Sequence, residues 1–535
     1  MAETQEQKHL WWQEGIIYQI YPRSFQDSDN DGVGDLTGII GRLDYLQWLG
    51  ITAVWISPIY PSPMADFGYD ISDYCDIHPL FGSMADFDIL LQEVHRRDMK
   101  LILDLVPNHT SDKHPWFLES RASKVNPKRD WYIWHDAKED GSEPNNWLSV
   151  FGGSGWEWDD NTEQYYYHAF LKEQPDLNWR NPEVQQAMFD VMRFWLDKGV
   201  DGFRVDVMWH MVKDEGLRDN PPNPNYQEHM ATYEKLVPAY STDQPEIHDI
   251  VAKMRAVTDE YQERMMIGEI YLPIHRLVTY YGNENNGAHL PFNFMLVSQD
   301  WNAQTLSLHI NEYEGALPPG GWPNWVIGNH DQPRITSRVG YLQAMVAAML
   351  LLTLRGTPTM YYGDEIGMRD VPIPLDEVQD PQGLNMPDKD LSRDPARTPM
   401  QWDGSENAGF SNAKPWLRLP PNFRRVNVDV QREDPYSMLS FYHRLIQLRQ
   451  QEPALHIGDY VPVLTKGNII AFQRIHKDRK YLVLLNLSHR PGIFRPEHVD
   501  YAGTVVLATD PEHEGVQVGQ NISLSGDEGI IVLLN

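Results

Sequence analysis

The chain has 535 residues, 41% of them hydrophobic, which is long and apolar enough for one large domain with one or two smaller ones. Asp and Glu number 76 against 45 for Lys and Arg, and the formal net charge is −31. Such a negative field repels nucleic acids and anionic membranes, so we expect neither as a partner.

Eight short apolar runs alternate with stretches that have helical spacing. The runs cover residues 16–22, 51–59, 100–108, 200–207, 265–271, 292–296, 325–331 and 357–365. Strands that alternate with helices form a parallel sheet whose faces are covered, and eight such units close into a barrel. The sequence therefore predicts an α/β fold with a (β/α)8 TIM barrel.

Two segments depart from this alternation. Residues 109–178 are rich in Trp, Tyr, Asp, Asn and Gly, and they are too long for an ordinary loop, so we expect an inserted subdomain after the third strand. From residue 455, short alternating runs predict a C-terminal antiparallel β-sandwich. The predicted division is a barrel in two parts (1–108 and 179–454), a subdomain at 109–178 and a β-domain at 455–535.

The compartment is predicted from what the sequence lacks. The opening residues, MAETQEQKHLWWQEG, do not have the basic-then-apolar order of a signal peptide. The longest apolar run, residues 344–354, is too short to cross a bilayer and reads as a buried helix. Cys75 is the only cysteine, so the chain cannot form an internal disulfide. We expect a cytoplasmic protein, monomeric or oligomeric.

Polar side chains stand at the ends of four predicted barrel strands. They are Asp104, Asn108 and His109 after the third strand, Arg204 and Asp206 at the fourth, Glu269 at the fifth, and His330 and Asp331 at the seventh. The C-terminal ends of barrel strands face the site that the βα loops build. We therefore expect carboxylates from three different strands to meet in one pocket.

Several carboxylates around one pocket are the equipment for glycoside hydrolysis, in which one is ionised and another donates a proton. Arg204 and Asp206 lie two residues apart on one strand, so they share a face; a plain salt bridge is the competing interpretation. We expect Arg204 to lower the pKa of Asp206 and the crowded carboxylates to raise the pKa of Glu269.

Five short motifs in fixed order resemble the α-amylase family, glycoside hydrolase family 13. They are DLVPNH (104–109), QPDLNW (174–179), GFRVDV (202–207), GEIY (268–271) and GNHD (328–331). QPDLNW is similar to a region typical of the branch that holds oligo-1,6-glucosidases and α-glucosidases. The resemblance extends over nearly the whole chain.

This resemblance implies a role for each catalytic carboxylate. Asp206 matches the nucleophile that forms a glucosyl-enzyme, Glu269 the general acid/base, and Asp331 the carboxylate that binds sugar hydroxyls. The positions that hydrogen-bond the sugar before the cleaved bond correspond to His109, Arg204 and His330.

The resemblance also implies a closed end for the pocket. Asp66 and Tyr69 match the pair that holds the terminal glucose, and Arg397 is expected to join Asp66, although Arg393 lies four residues earlier. Such an end makes an enzyme exo-acting. Phe151 and Phe170 are expected as apolar walls, with ordinary core packing as the alternative.

The acidic loop DSDNDGVGD (27–35) has oxygen-bearing side chains at alternate positions, as in the first half of an EF-hand. The twelfth position is Gly38 where an EF-hand has Glu, so a true EF-hand is excluded. By resemblance the loop binds structural Ca²⁺ or Mg²⁺. The ligands implied are Asp27, Asp29, Asp31, Asp35 and the carbonyl of Val33. An acidic surface turn is the alternative.

These observations together predict a retaining exo-α-glucosidase. The expected substrates are short α-1,4- or α-1,6-glucosides such as maltose, isomaltose or sucrose. Val207, next to the nucleophile, accompanies α-1,6 activity in this branch, but the surrounding sequence looks like α-glucosidases in general. The alternatives are a transglucosylase, a sucrose hydrolase or a sugar isomerase like trehalose synthase, all on the same carboxylates. A non-catalytic relative, such as the ancillary heavy chain of an amino-acid transporter, is the alternative from another class.

Overall fold

Eight short parallel strands form the central sheet in the computed structural model, which describes residues 9–463, 467–496 and 501–535. The first eleven strands of the chain are β1 (Ile17–Ile20), β2 (Ala53–Ile56), β3 (Lys100–Leu105), β4 (Trp134–His135), β5 (Trp156–Asp159), β6 (Gln164–Tyr167), β7 (Gly202–Val205), β8 (Met265–Gly268), β9 (Leu290–Pro291), β10 (Asn324–Val326) and β11 (Thr357–Tyr361).

The sheet closes into a barrel. Its strand order is β10-β11-β1-β2-β3-β7-β8-β9, and every pair in it is parallel. A single bridge between Asn293 and Trp325 joins the two ends of that order. The predicted (β/α)8 barrel is therefore confirmed.

The sixth strand differs from the predicted run at 292–296. It comprises only Leu290–Pro291, and a short helix begins at Met295. Phe292 and Phe294 are buried in an apolar cluster with side chains from the barrel strands. Their apolarity therefore reflects packing inside the barrel and not membership of a strand.

Helices cover the outside of the barrel and connect its strands. They are α1 (Trp11–Glu14), α2 (Leu36–Leu49), α3 (Met84–Arg96), α4 (Pro115–Ala122), α5 (Pro182–Lys198), α6 (Ile247–Thr258), α7 (Ile274–Leu277), α8 (Met295–Ser298), α9 (Ala303–Ala316), α10 (Ile335–Val339), α11 (Tyr341–Thr353), α12 (Pro381–Asn385), α13 (Val428–Glu433), α14 (Met438–Gln451) and α15 (Pro453–His456). As predicted, the apolar run at 344–354 forms a buried helix, α11, which includes all of the run except its last residue, Leu354. In the described part of the chain, no helix is both long and apolar enough to cross a membrane.

The ends of helix α5 show how local sequence directs the chain into strand β7. The side chain of Asn181 accepts a hydrogen bond from the backbone N–H of Glu183, and Pro182 occupies the first turn. The helix ends at Gly199, whose φ of 107° lets the chain turn directly toward β7. Met192 and Trp195 are fully buried, and each such side chain contributes about 1.5–3 kcal/mol of hydrophobic stabilisation.

The segment between β3 and α5 carries its own small sheet. Strands β4, β6 and β5 pair antiparallel in that order, and α4 precedes them. The sequence showed no helical period here because α4 spans only two turns. Isolated bridges His109–Asp176 and Tyr132–Leu177 bring the end of the segment back to its beginning. The segment therefore stands over the end of β3.

Antiparallel strands form the C-terminal part of the chain. They are β12 (Asp459–Pro462), β13 (Ile469–His476), β14 (Arg479–Asn486), β15 (Gly492–Phe494), β16 (Gly503–Ala508), β17 (Gln517–Val518), β18 (Ile522–Leu524) and β19 (Gly529–Leu534). Six of them form one sheet, while β15 and β18 form a second. Buried residues from both sheets, including Leu482, Phe494, Ile522 and Val532, make up one apolar cluster, so the two sheets pack as a small sandwich.

Candidate active site

A cavity of about 840 Å³ opens at the C-terminal ends of the barrel strands. This is the end at which βα loops build sites in barrels of this kind, and the volume suits a small ligand. Nine of the predicted site residues line it, namely Asp66, Tyr69, His109, Phe151, Phe170, Asp206, Glu269, His330 and Asp331. The structure thus brings the three predicted catalytic carboxylates into one cavity.

Arg204 is the hub beneath the cavity floor. Its Nη1 lies 2.7 Å from Oδ1 of Asp206 and 2.8 Å from Oδ1 of Asp104. Its Nη2 lies 2.7 Å from Oε2 of Glu269. The side chain has no solvent exposure, and its guanidinium sits 5.0 Å from the ring of Trp55. A fixed, buried fork therefore holds Asp206 and Glu269 side by side.

Glu269 has a second partner that comes from the fourth strand's end. The backbone N–H of Val207 donates to Oε2 of Glu269 at 2.8 Å. Val207 adopts a left-handed conformation with φ 35° and ψ 48°, which is uncommon for a β-branched residue. Because Oε2 accepts from Val207 and is paired with the Arg204 guanidinium, we assign the proton of Glu269 to the other oxygen, Oε1.

The pKa expected for Asp206 is wrong in direction. Arg204 does act to lower it, but burial and the carboxylates Glu269, Asp104 and Asp331 outweigh the guanidinium, so the pKa of Asp206 is raised well above its ordinary value. Burial also raises the pKa of Glu269, although Arg204 opposes this. Since both pKa values are raised and the Arg204 guanidinium holds the two side chains, we assign one shared proton to the pair in the free enzyme.

Asp331 has the opposite electrostatic environment. Burial alone would raise its pKa, but His330 and the guanidinium groups of Arg393 and Arg397 lower it below the ordinary value. Oδ1 of Asp331 lies 2.8 Å from Nη2 of Arg397 and 3.3 Å from Nη1 of Arg393. Asp331 is therefore ionised at neutral pH.

Arg393, and not Arg397, is the partner of Asp66. The Nη2 atom of Arg393 lies 2.7 Å from Oδ1 of Asp66, whereas Arg397 turns its Nε to the backbone carbonyl of His330 at 2.8 Å. The two arginines flank a short 3-10 turn and point different ways, so the arginine that the resemblance implied, Arg397, is not the one that reaches Asp66. Burial of Arg397 is complete, and its role is to support Asp331.

Two further residues of this closed end were missed from the sequence. Asp380 is fully buried and holds Arg393 through Oδ1, which lies 2.6 Å from Nη2 and 2.8 Å from Nε. Gln174 donates from Nε2 to Oδ2 of Asp66 at 3.2 Å. Gln174 was visible within the QPDLNW motif, but no sequence signal marks Asp380.

Aromatic and imidazole rings complete the deep wall of the cavity. The rings of Tyr69 and His330 stack at 5.4 Å with an angle of 5°, and the Tyr69 hydroxyl lies 2.6 Å from Nε2 of His330. Burial lowers the pKa of His330 well below its ordinary value and lowers the pKa of His109 to about 4. Both imidazoles are therefore uncharged at neutral pH.

Phe151 and Phe170 stand together as walls. Their rings meet edge to face at 5.5 Å, and the Arg393 guanidinium lies 4.7 Å from the Phe151 ring. Both line the cavity in addition to packing against each other.

The outer part of the cavity includes aromatic residues that sequence reasoning did not single out. Trp209 and Tyr271 line it, and the ring of Tyr271 stacks on Phe294 at 3.9 Å. Their positions, three and two residues after Asp206 and Glu269, were the available signal. Flat apolar rings at this depth suit the second sugar of a disaccharide.

The acidic loop lies between β1 and α2. Carboxylate oxygens of Asp27, Asp29 and Asp35 lie within 4.8 Å of one another, which is the spacing of ligands around one cation. Asp31, which was expected as a ligand, is not part of this group; its Oδ1 accepts a hydrogen bond from the backbone N–H of Val33 at 2.7 Å. An all-oxygen donor set fits a hard cation such as Ca²⁺.

Comparisons with known proteins agree with this geometry. Residues 19–458 match the family of α-amylase catalytic domains. The oligo-1,6-glucosidase of Parageobacillus thermoglucosidasius is 41% identical over 542 residues, which cover 94% of this chain and 95% of that protein. The α-glucosidase of Apis mellifera is 42% identical over 490 residues, with coverage of 89% and 85%. The crystal structure of an α-glucosyl transfer enzyme superposes with a TM-score of 0.93 at 39% identity, over 99% of this chain and 100% of that one.

Proposed function

The chain belongs to the α-amylase family of glycoside hydrolases, and we propose that it is a retaining, exo-acting α-glucosidase that removes terminal glucose from short α-glucosides. The observation that carries the proposal is the buried Arg204 fork, which holds Asp206 beside Glu269 in a cavity whose deep end is closed by Asp66 and Arg393.

The first chemical step follows from that fork. When glucoside binds, the shared proton goes to Oε1 of Glu269, and Asp206 is left as a carboxylate. Asp206 then attacks the anomeric carbon while Glu269 protonates the leaving oxygen. The bond to the leaving sugar breaks as the bond to Asp206 forms, which gives a glucosyl-enzyme and a free alcohol.

The second step reverses the roles. Glu269, now ionised, takes a proton from water, the water oxygen attacks the anomeric carbon, and the bond to Asp206 breaks. Retaining enzymes place the two carboxyl groups about 5–5.5 Å apart, whereas inverting ones leave about 6.5–9.5 Å for a water. The contact of one guanidinium, that of Arg204, with both Asp206 and Glu269 keeps the two carboxyl groups close and supports the retaining arrangement.

Asp331 contributes a constant negative charge. Its carboxylate, held by Arg397 and Arg393, accepts hydrogen bonds from sugar hydroxyls and faces the positive charge that develops on the ring. Because Asp331 stays ionised at neutral pH, this stabilisation does not depend on which of Asp206 and Glu269 carries the proton.

The closed end supports exo action. Asp66, Arg393 and Gln174 offer a carboxylate, a guanidinium and an amide to the far hydroxyls of a terminal glucose. No chain continues past such a buried ion pair, so the pocket accepts a chain end and releases one glucose for each cycle.

The acidic loop supports a structural Ca²⁺ site. Asp27, Asp29 and Asp35 would hold the ion, and reorientation of Asp31 with the carbonyl of Val33 would complete the shell. The bound ion would neutralise the clustered carboxylates and fix the connection between β1 and α2. It has no part in the chemistry, since the loop does not line the cavity.

Transfer of glucose to another sugar is the second candidate. The aromatic outer lining at Trp209 and Tyr271 offers a platform for a sugar acceptor, and a structural neighbour is an α-glucosyl transfer enzyme. Water and acceptor compete for the same glucosyl-enzyme, so the two activities share every catalytic residue.

A product time course tests the proposal. Maltose, isomaltose, sucrose and soluble starch would be followed by NMR of the anomeric protons. We expect α-glucose as the first product from the disaccharides and little reaction with starch, and the ratio of maltose to isomaltose cleavage measures the influence of Val207. First release of β-glucose would refute retention, and rapid internal cleavage of starch would refute exo action. New linkages or an isomerised disaccharide as main products would replace hydrolysis by transfer or isomerisation.

A further inference from the structure

A buried ion pair lies behind the cavity wall, outside the residues that line it. Lys213, from the loop after β7, contacts Oδ2 of Asp176, which comes from the end of the inserted segment. Lys213 is 2% exposed and Asp176 is fully buried. A charge that is almost fully buried has to be satisfied by its neighbours, so the polar groups around this ammonium determine where it donates.

Lys213 also donates to Oδ1 of Asn108 at 2.7 Å. An ammonium group can only donate, so this contact fixes which end of the Asn108 amide is oxygen. The nitrogen end, Nδ2, then lies 3.0 Å from Oδ2 of Asp176, which can only accept. Both neighbours impose the same orientation on the amide.

The second hydrogen of Asn108 Nδ2 points at His109. The separation from Nδ2 to Nδ1 of the imidazole is 3.1 Å. Because Nδ2 is a donor, Nδ1 has to be the acceptor, and the ring proton is on Nε2. Nε2 in turn lies 3.1 Å from the backbone carbonyl of Tyr69, which accepts that proton.

We propose that Lys213 is a positioning residue for the reaction: by fixing the Asn108 amide, it holds His109 as the neutral Nε2–H tautomer, whose N–H is anchored on the Tyr69 carbonyl while the ring lines the cavity. This inference deepens the proposed function and rests on it, since the anchored imidazole forms part of the pocket for the terminal glucose. The relay gives each ring nitrogen of His109 one fixed partner, Asn108 on one side and the Tyr69 carbonyl on the other.

The charges around His109 determine what happens when the relay is broken. Burial lowers its pKa, Asp176 raises it and Lys213 lowers it. The other polar groups that face it are Gln174 and His210. The amide nitrogen of Gln174 lies 3.1 Å from Nε2 of His109 and donates to Asp66, and His210, across the ring of Phe170, is kept neutral by burial. Removal of Lys213 alone therefore leaves Asp176 unbalanced and raises the pKa of His109.

The variants separate the two contributions. Lys213→Met removes the amide lock and the balancing charge, so we expect mixed tautomers of His109 and protonation of the ring at higher pH. Lys213→Met with Asp176→Asn removes the lock without the unbalanced charge, so the tautomers mix while the pKa stays low. Lys213→Arg keeps charge and donors and should preserve the tautomer. Lys198→Met, at the surface pair with Asp88, is the matched control.

Two readouts test the proposal. In histidine-labelled protein, ¹⁵N and ¹³C shifts report the tautomer directly, with the His109 signal assigned from its loss in His109→Asn. We expect Nε2–H in the wild type from pH 5 to 8. An Nδ1–H tautomer there would overturn the proposal without any variant and without any activity, so it is distinct from failure of the proposed function.

Kinetics on maltose supply the second readout. Lys213→Met frees the Asn108 amide and with it the His109 ring in the pocket wall. The loss of one such hydrogen bond is worth roughly a tenfold change, so kcat/KM should fall about tenfold, mostly through KM. An additional fall at acid pH should appear in that variant and be absent from the double variant. Equal, pH-independent losses in both variants, or unchanged His109 shifts in Lys213→Met, would reduce Lys213 to a structural residue.

Discussion

Replacing Arg393 with Met should lower kcat/KM by removing the buried partner of Asp66 at the closed end of the pocket. Replacing an arginine outside the pocket should not have this effect. Arg393 lies 2.7 Å from Asp66 and 2.6 Å from Asp380, and all three side chains are almost fully buried. Two unit charges 4 Å apart interact by about 4 kcal/mol at an effective dielectric constant of about 20. Part of this is offset by desolvation, so we expect a coupling of about 2–3 kcal/mol between Asp66 and Arg393.

A double-mutant cycle measures that coupling. The variants Asp66→Asn, Arg393→Met and their combination are compared by kcat/KM on maltose, where about 1.4 kcal/mol corresponds to a tenfold change. Each single variant should lose about 30- to 150-fold, and the combination should lose little more than the worse single variant. A parallel cycle with Arg397→Met should give about 1 kcal/mol or less. A larger coupling to Arg397 than to Arg393 would refute our assignment of the closed end.

Stability has to be separated from binding in this experiment. Arg393→Met leaves Asp66 and Asp380 buried without their partner, which costs about 3–5 kcal/mol of unfolding free energy. Adding Asp380→Asn should recover much of the loss in Tm while KM stays high. Arg418→Met, at a half-exposed surface pair with Glu377, is the control and should change neither quantity measurably.

Three further outcomes follow from the site. Asp206→Asn should lose about 10⁴-fold in kcat, as removal of a covalent nucleophile does, and near-normal turnover of an α-glucoside would exclude Asp206 from that role. Burial raises the pKa of Glu269, and the protonated form is the active acid, so kcat/KM should decline as pH rises through that raised pKa. Glu269→Gln does not titrate at this position, so its pH profile should lack this decline. An unchanged decline in Glu269→Gln would assign the titration to another group. Removal of divalent cations by EDTA should lower Tm, and added Ca²⁺ should restore it. The Tm of Asp27→Ala should change with neither EDTA nor Ca²⁺. An identical Tm of the wild type with and without EDTA would exclude the metal site.

The barrel and the catalytic carboxylates were accessible from sequence because both depend on strict patterns. Alternating strands and helices predict the closed sheet, and a polar residue at the end of a barrel strand can point to one place only. Asp206, Glu269 and Asp331 were found in this way from three different strands, without knowledge of any contact.

The features that the sequence analysis missed depend on how deeply a side chain is buried and on where it points. The spacing of residues along the chain determines neither. Arg393 and Arg397 lie one turn apart, and only the turn between them decides which reaches Asp66. The direction of the Asp206 pKa shift depends on burial and on carboxylates from other strands. Asp380 lies in a loop, and its partner is thirteen residues away, so no local pattern marks it.

The two sides of the pocket differ in how firmly they are held, because one of them lies at the bridge between Asn293 and Trp325. One backbone bridge closes the barrel between β9 and β10, whereas the other strand pairs are joined by longer ladders or by two rungs. The wall at this seam is held mainly by ring packing around Phe294, on which Tyr271 of the outer cavity rests. The glucose end, in contrast, is pinned by buried ion pairs. Local opening starts in the least stable part of a fold. We therefore expect the pocket to yield first on the side of Trp209 and Tyr271 and to stay rigid at the end held by Asp66 and Arg393.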